Sequence, residues 1–259
     1  MSPPSNNDDF AKERPAWLFP ALVVAGVVIL SAFFLYYYFG PTPRELLGLD
    51  PQPSARTIEI EAIIGGTWFI IPENYTRYPV QRTGGIQREV AMHALLPDLE
   101  PFSEEQRAAF DSNAPDSAVL YFSLREAGVT LSSEQRFKRI YKKYLDGKPP
   151  EHDMLNMDRY AFSADSGYKD QDLFTYRDQN NQLALLLCDQ LTSLIDSPNC
   201  TRTLLLSDKL ALTYRYKRAH RANWQEIDAA ILLLIQSFDA TPVSNGDDLL
   251  EGLPDTTAE

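Results

Sequence analysis

The sequence lacks the motifs that identify most enzymes and cofactor-binding proteins. No glycine-rich phosphate loop, no dinucleotide fingerprint of the form G-x-G-x-x-G and no G-x-S-x-G nucleophile motif occurs. The acidic segment 151–172 fits no EF-hand spacing and predicts a solvated loop. The histidines are few, and none has a partner three or four residues away, so we predict no metal site. Because the motifs named above are missing, we also predict no cofactor and no catalytic residue. The three histidines are His93, His152 and His220.

Cysteine is also scarce, since the chain has only two, Cys188 and Cys200. Their spacing is far from Cys-x-x-Cys, which argues against a redox role. One predicted strand ends at Cys188 and the next begins after Cys200, so antiparallel pairing would place the two side chains next to each other. In an oxidising compartment we predict a disulfide that stabilises the fold by about 3 kcal/mol. In a reducing cytosol, two free buried thiols are the alternative.

Positive charge is in deficit. The chain has 24 Lys and Arg against 36 Asp and Glu, a formal net charge of −12. Six acids and no base lie between Asp239 and Glu259. This balance argues against binding to nucleic acid and against adhesion to an anionic lipid surface.

Long hydrophobic runs are absent except for one, Trp17 to Phe39, which contains 23 residues and no charge. A helix rising about 1.5 Å per residue crosses a hydrocarbon core of roughly 30 Å in about 20 residues. Trp17 and the three tyrosines 36–38 would lie at the two interfaces. The run exceeds a secretory h-region, and no small-x-small cleavage site follows it. It therefore predicts an uncleaved signal-anchor that contacts the lipid bilayer through residues 17–39.

The charges that flank this run favour one orientation. Lys12 and Arg14 precede it, whereas Arg44 and the more distant Arg56 follow it. By the positive-inside rule, the N-terminus is predicted to be cytoplasmic and the soluble domain periplasmic or extracellular.

Five regions follow from composition and pattern. Polar, proline-rich residues at the N-terminus and acidic residues at the C-terminus predict disordered tails. The proline-containing segment after the apolar run predicts a short linker. The regions are a disordered tail (1–16), a transmembrane helix (17–39), a linker (40–55), an α+β soluble domain (56–239) and a disordered acidic tail (240–259).

Patterning within 56–239 predicts the α+β class: a mostly antiparallel sheet with helices packed on one face, preceded by a single transmembrane helix. Alternating β-formers around glycine or polar turns predict hairpins, and periodic apolar stripes predict helices. The predicted elements include a hairpin at 58–72, one strand at 86–96, a capped helix at 132–145, strands at 173–177 and 182–188, a hairpin at 201–218, and a helix capped by Asn223.

Two groups of basic residues stand out in this acidic chain. One is the run 215–221, whose strand alternation places Arg215 and Lys217 on a solvent face; the other lies on the helix at 132–145. These groups would bind an acidic partner surface, an anionic ligand or the chain's own acidic tail, or they are simply solvated faces. The candidate interface residues are Arg136, Arg139, Lys143, Arg215, Lys217, Arg218, His220 and Arg221.

An anchored, compact domain without a catalytic motif favours a binding function. We therefore expect an accessory or assembly module of a membrane or envelope complex, with a protein partner. A membrane-anchored hydrolase whose site assembles only in three dimensions is the first alternative, and a small-ligand sensor with a closed apolar cavity is the second. The oligomeric state does not follow from the sequence.

Overall fold

The computed structural model describes residues 17–241, which belong to two compact units, Met1–Leu47 and Gly48–Glu259. The predicted tail 1–16 and residues 242–259 of the predicted acidic tail lie outside the described residues. Gly48 and Gln52, which the sequence assigns to the linker, hydrogen-bond within the second unit: the Gly48 carbonyl accepts from the Val80 amide, and the Gln52 amide donates to the Arg77 carbonyl.

The described part of the first unit, residues 17–47, contains two helices. Helix α1, Leu18–Phe39, has 22 residues and no buried side chain. It is long and apolar enough to cross a membrane, as predicted. Helix α2, Pro43–Leu46, is a single turn with a capping box at Thr42, whose hydroxyl accepts from the Glu45 amide at 3.2 Å.

The second unit opens with a small sheet of three strands. Strands β1 (Glu59–Ile64) and β2 (Thr67–Pro72) pair in antiparallel register around Gly65-Gly66. Both glycines have positive φ, 60° and 85°, which is the conformation that this tight turn requires. The predicted hairpin is therefore confirmed. The short strand β3 (Gly85–Ile86) pairs in parallel with β1.

The prediction of one strand over 86–96 is wrong, because this segment contributes to two sheets. Ile86 belongs to the small sheet and is 83% exposed. Residues 89–95 form the first strand of the large sheet, with Val90 and Met92 buried. The alternation of apolar residues continues across the change of sheet, so the pattern alone does not show it.

The large sheet has eight strands, and every neighbouring pair is antiparallel. Its order is β4-β5-β11-β10-β9-β8-β7-β6. Together with the small sheet and the helices it confirms the predicted α+β class. The strands are β4 (Glu89–Leu95), β5 (Val119–Glu126), β6 (Glu151–His152), β7 (Asp158–Ala161), β8 (Gln171–Arg177), β9 (Leu183–Asp189), β10 (Asn199–Ser207) and β11 (Leu210–Lys217), and the helices are α3 (Arg107–Phe110), α4 (Ser133–Arg139) and α5 (Trp224–Phe238).

One face of the large sheet packs against α5 and the small sheet. Five apolar side chains at helical spacing on α5 are buried in this core, which makes the helix amphipathic in the usual way. The predicted cap at Asn223 is wrong, because the chain enters α5 from a 3-10 turn and the Asn223 side chain makes no capping hydrogen bond. The buried side chains of α5 are Trp224, Ile227, Ile231, Ile235 and Phe238.

The opposite face is covered only at its two ends. At the β4 end, His93 packs against Phe102 and Phe110, with ring centroids 6.0 and 4.6 Å away. At the β8 end, residues after α4 pack over Phe162. The predicted helix over 132–145 begins as expected at the Ser132 capping box but ends at Arg139, and a separate 3-10 turn over 141–143 follows.

The predicted disulfide between Cys188 and Cys200 is present. The two residues lie directly opposite each other on β9 and β10. Only one further residue pair, Thr201 with Leu187, belongs to the register of these two strands. This two-residue junction joins the two four-stranded halves of the large sheet.

We predict that His93 makes the fold sensitive to acid. Burial, together with the charges of Arg77 and Arg82, lowers its pKa from 6.5 to about 3. Below pH 6.5 the unfolded chain binds a proton that the folded chain excludes, so stability falls as the pH falls toward 3. Between pH 7 and pH 5 this one group should reduce the free energy of unfolding by about 2 kcal/mol.

Urea unfolding of the full chain in detergent at both pH values checks this prediction. His93→Leu should remove about 2 kcal/mol of the pH dependence of the wild type. An equal pH dependence in the wild type and in His93→Leu would contradict the assignment.

Candidate functional site

Polar side chains fill the centre of the second face of the large sheet, between its two covered ends. The strand registers place Tyr121, Arg215 and Thr201 in one row across β5, β11 and β10. Ser123, Thr213 and Thr203 form the adjacent row. We call these six residues the polar face: Tyr121, Ser123, Thr201, Thr203, Thr213 and Arg215.

Two arginines stack on the tyrosine at the edge of this face. The Arg77 guanidinium lies 4.4 Å from the centre of the Tyr121 ring, and the Arg215 guanidinium lies 5.3 Å from it. Arg77 also lies 5.4 Å from the Tyr78 ring. Stacking on rings holds a guanidinium in place while its N–H groups remain available as donors. These side chains line an open cavity of about 440 Å³.

A second cavity, of about 570 Å³, adjoins the first. Thr213 lines the first cavity and Thr203 lines the second, and their hydroxyls lie 3.1 Å apart. Charged residues line both cavities, with arginine in excess over glutamate by four to two. Arg77, Arg215 and Glu89 line the first cavity, and Arg125, Arg136 and Glu126 line the second.

The eight predicted interface residues lie in three environments: on or beside the polar face, on another exposed surface, and in contacts inside the second unit. Arg215 lies on the polar face, and Arg136 lines the second cavity beside it, where its Nη2 donates to the Leu131 carbonyl at 3.2 Å. Arg139 on α4 and Lys143 in the following turn are exposed. The remaining four residues of the predicted set are bonded within the second unit.

Lys217 and His220 are two of those four. Lys217 is 6% exposed, and its Nζ donates to Asn113 Oδ1 at 2.7 Å and to the Ser197 carbonyl at 3.3 Å. Burial, followed by the charge of Arg215, lowers the Lys217 pKa. His220 Nε2 lies 3.0 Å from the Ser117 carbonyl. The expectation that Lys217 lies in solvent is therefore wrong, since the residues around 113 and 197 cover the end of β11.

Arg218 and Arg221 form internal ion pairs. Arg218 Nη2 donates to Asp172 Oδ2 at 2.7 Å, and Asp172 is only 1% exposed. Arg221 pairs with Asp153. Burial raises the Asp153 pKa, but the Arg221 guanidinium and backbone amides outweigh this effect and lower it overall. These acids were expected in a solvated loop, and the structure instead uses them to fix the basic run.

Of the six residues of the polar face, the sequence analysis named only Arg215. Three of the residues that it missed in and around this face are Arg77, Tyr121 and Arg125. A usable signal existed for two of them, since Tyr121 and Arg125 alternate with buried residues along β5. Arg77 lies outside the strands and carries no such signal. The strand order that brings position 121 next to position 215 is long-range information that alternation does not contain.

Among residues 17–241, no group of three or more His, Cys, Asp or Glu side chains is arranged to hold a metal ion. The polar face offers hydrogen-bond donors, namely hydroxyl groups and guanidinium groups that are stacked on a tyrosine ring. Such a set suits recognition of carboxylates. The hydrolase and sensor alternatives stay predictions.

Comparisons with known proteins identify a fold and no family. No protein-family model matches the sequence, and no curated protein matches it. An immunity protein of the Stenotrophomonas maltophilia type IV secretion system has a similar structure, with a TM-score of 0.50 and 14% identity over 73% of this chain and 99% of that one. An iron-regulated outer membrane lipoprotein of Neisseria meningitidis gives a TM-score of 0.47 and 14% identity over 73% of this chain and 96% of its own. The first likeness establishes a shared fold.

Proposed function

We propose that this chain is a single-pass, membrane-anchored binding module whose soluble domain (56–239) docks an acidic surface of a partner protein. Such a module would act as an accessory or assembly component of a membrane or envelope complex. The observation that carries the proposal is the stack of Arg77 and Arg215 on Tyr121, on an open sheet face of a chain with a net charge of −12.

The composition of the face supports binding to a protein. Tyrosine and arginine are enriched among the residues that contribute most to protein–protein affinity. The two covered ends of the sheet flank the polar face, and its hydroxyls offer both donors and acceptors. In this acidic chain the arginines form a local cationic site that attracts carboxylates and disfavours basic partners, which gives specificity.

The anchor and the disulfide support the proposed location. The apolar helix α1 has the length and composition of a membrane span. The Cys188–Cys200 disulfide persists in oxidising compartments, which favours a periplasmic or extracellular domain and a cytoplasmic N-terminus. The protein of similar fold is described as an immunity protein. That likeness contributes the fold alone, so the proposal depends on the polar face.

Reversing the two stacked charges should abolish partner binding. In Arg77→Glu/Arg215→Glu, two carboxylates replace the cations that face the acidic partner. The wild-type chain, extracted from its native membrane in mild detergent, should retain a stoichiometric partner, and the double variant should retain it at least about thirtyfold less well. Quantitative mass spectrometry of the extracted complexes measures the ratio, and rising salt should weaken the wild-type complex.

Arg139→Glu/Lys143→Glu is the matched control, since it makes the same charge change at exposed positions outside the polar face. Both double variants should unfold at the wild-type temperature. Equal retention of the partner by the two double variants would contradict a role for the polar face.

Labelling of one introduced cysteine tests the orientation. Met154 is fully exposed, and the two native cysteines are bonded and buried, so Met154→Cys presents one reactive thiol. A membrane-impermeant maleimide should label this variant on intact cells as fully as after lysis. Labelling only after lysis would place the domain in the cytoplasm.

A further inference from the structure

Strands β9 and β10 separate after their two-residue junction. Their register ends at Thr201 opposite Leu187, although β10 continues to Ser207 and β9 begins at Leu183. On its other side β9 pairs with β8 along its whole length, and β10 pairs with β11 except at an irregularity around Leu206. Residues 202–206 of β10 and 183–186 of β9 therefore face each other without pairing. We call this gap the seam.

An open cavity of about 890 Å³ occupies the seam. Leu183 and Leu204 line it from the two strands, and Tyr176, Trp224 and Leu232 add apolar surface from β8 and α5. The Leu205 and Leu232 side chains remain 37% and 38% exposed at its margin. The cavity thus offers apolar surface between two strand edges whose backbone polar groups face each other unpaired.

A buried arginine in this cavity has a nitrogen without a partner. Arg202 is 7% exposed, and its Nε and Nη2 donate to the two carboxylate oxygens of Asp228, each at 3.0 Å. The Tyr214 hydroxyl also donates to Asp228 Oδ1, at 2.5 Å. Arg202 Nη1 is buried and has no acceptor among the described residues. Buried donors of this kind are rarely left unsatisfied.

We propose that the seam binds an extended segment of a partner protein by strand addition. The segment pairs its main chain with the free edge of β10 over residues 202–206, a stretch of about 17 Å. It places an apolar side chain against Trp224 and Leu232, and it supplies a carboxylate oxygen to Arg202 Nη1. An extended polypeptide fits because the unpaired groups at the edge of β10 are backbone N–H and C=O groups, which pair in a β-sheet. The apolar residues that line the cavity would select the side chains at alternate positions of the segment. This site goes beyond the polar face and uses different residues.

The probe for the test is a library of random octapeptides, displayed on phage and selected against the full chain purified in detergent. Selected peptides should alternate apolar and polar residues with period two and carry Asp or Glu. Arg202→Gln removes the unpartnered donor and should weaken a selected peptide at least about tenfold. Leu232→Glu, at the exposed margin of the seam, should weaken it similarly and provides a second variant if Arg202→Gln does not fold.

Arg77→Glu/Arg215→Glu should bind the peptide with wild-type affinity, which separates failure of the seam from failure of the polar face. The proposal is overturned if no peptide is enriched, if the enriched pattern has a helical period, or if both seam variants bind normally. It is also overturned if peptides bind only a chain truncated after residue 241, since residues 242–259 would then be the occupant. Peptide binding that appears only when a dimer dissociates would overturn it in favour of a second copy as the occupant.

Discussion

The two-residue pairing between β9 and β10, with its disulfide, is the interaction on which this structure depends. Cys188 and Cys200 lie opposite each other where two four-stranded halves meet, and only one more residue pair adds to the junction. A cross-link of this kind restricts the unfolded chain and is worth about 3 kcal/mol for a loop of this size. Without it, the cohesion of the halves would rely on α5 and the shared core.

The two faces of the large sheet differ in how completely other elements cover them. One face is closed by α5 and the small sheet, which bury most of the apolar core. The other face is covered only at its ends, by the cluster around His93 and by that around Tyr141. The polar face therefore remains open between them, while the seam opens beside the junction. Both candidate binding surfaces follow from incomplete coverage of one large sheet.

Local sequence signals predicted local structure well, and they failed where partners are distant in sequence. The Gly65-Gly66 hairpin and the disulfide were predictable because the residues that determine them lie close in sequence, within one turn for the hairpin and 12 residues apart for the cysteines. The pairing of Arg218 with Asp172 was not predictable, because the two residues are 46 positions apart. A basic run has the same sequence pattern whether its side chains are solvated or form internal ion pairs. The polar face and the seam depend on strand order and on the extent of pairing, and alternation specifies neither.

Hydrogen exchange along β10 tests the open seam most directly. In an antiparallel ladder, alternate amides of residues 202–206 point toward β11 and the others toward the seam. Residue-resolved exchange of the full chain in detergent should therefore show alternating protection over 202–206. Residues 121–125 of β5, which pair on both sides, should be protected throughout. Uniform protection over 202–206 in the isolated chain would mean that the two halves are joined along their whole length, and would contradict this account.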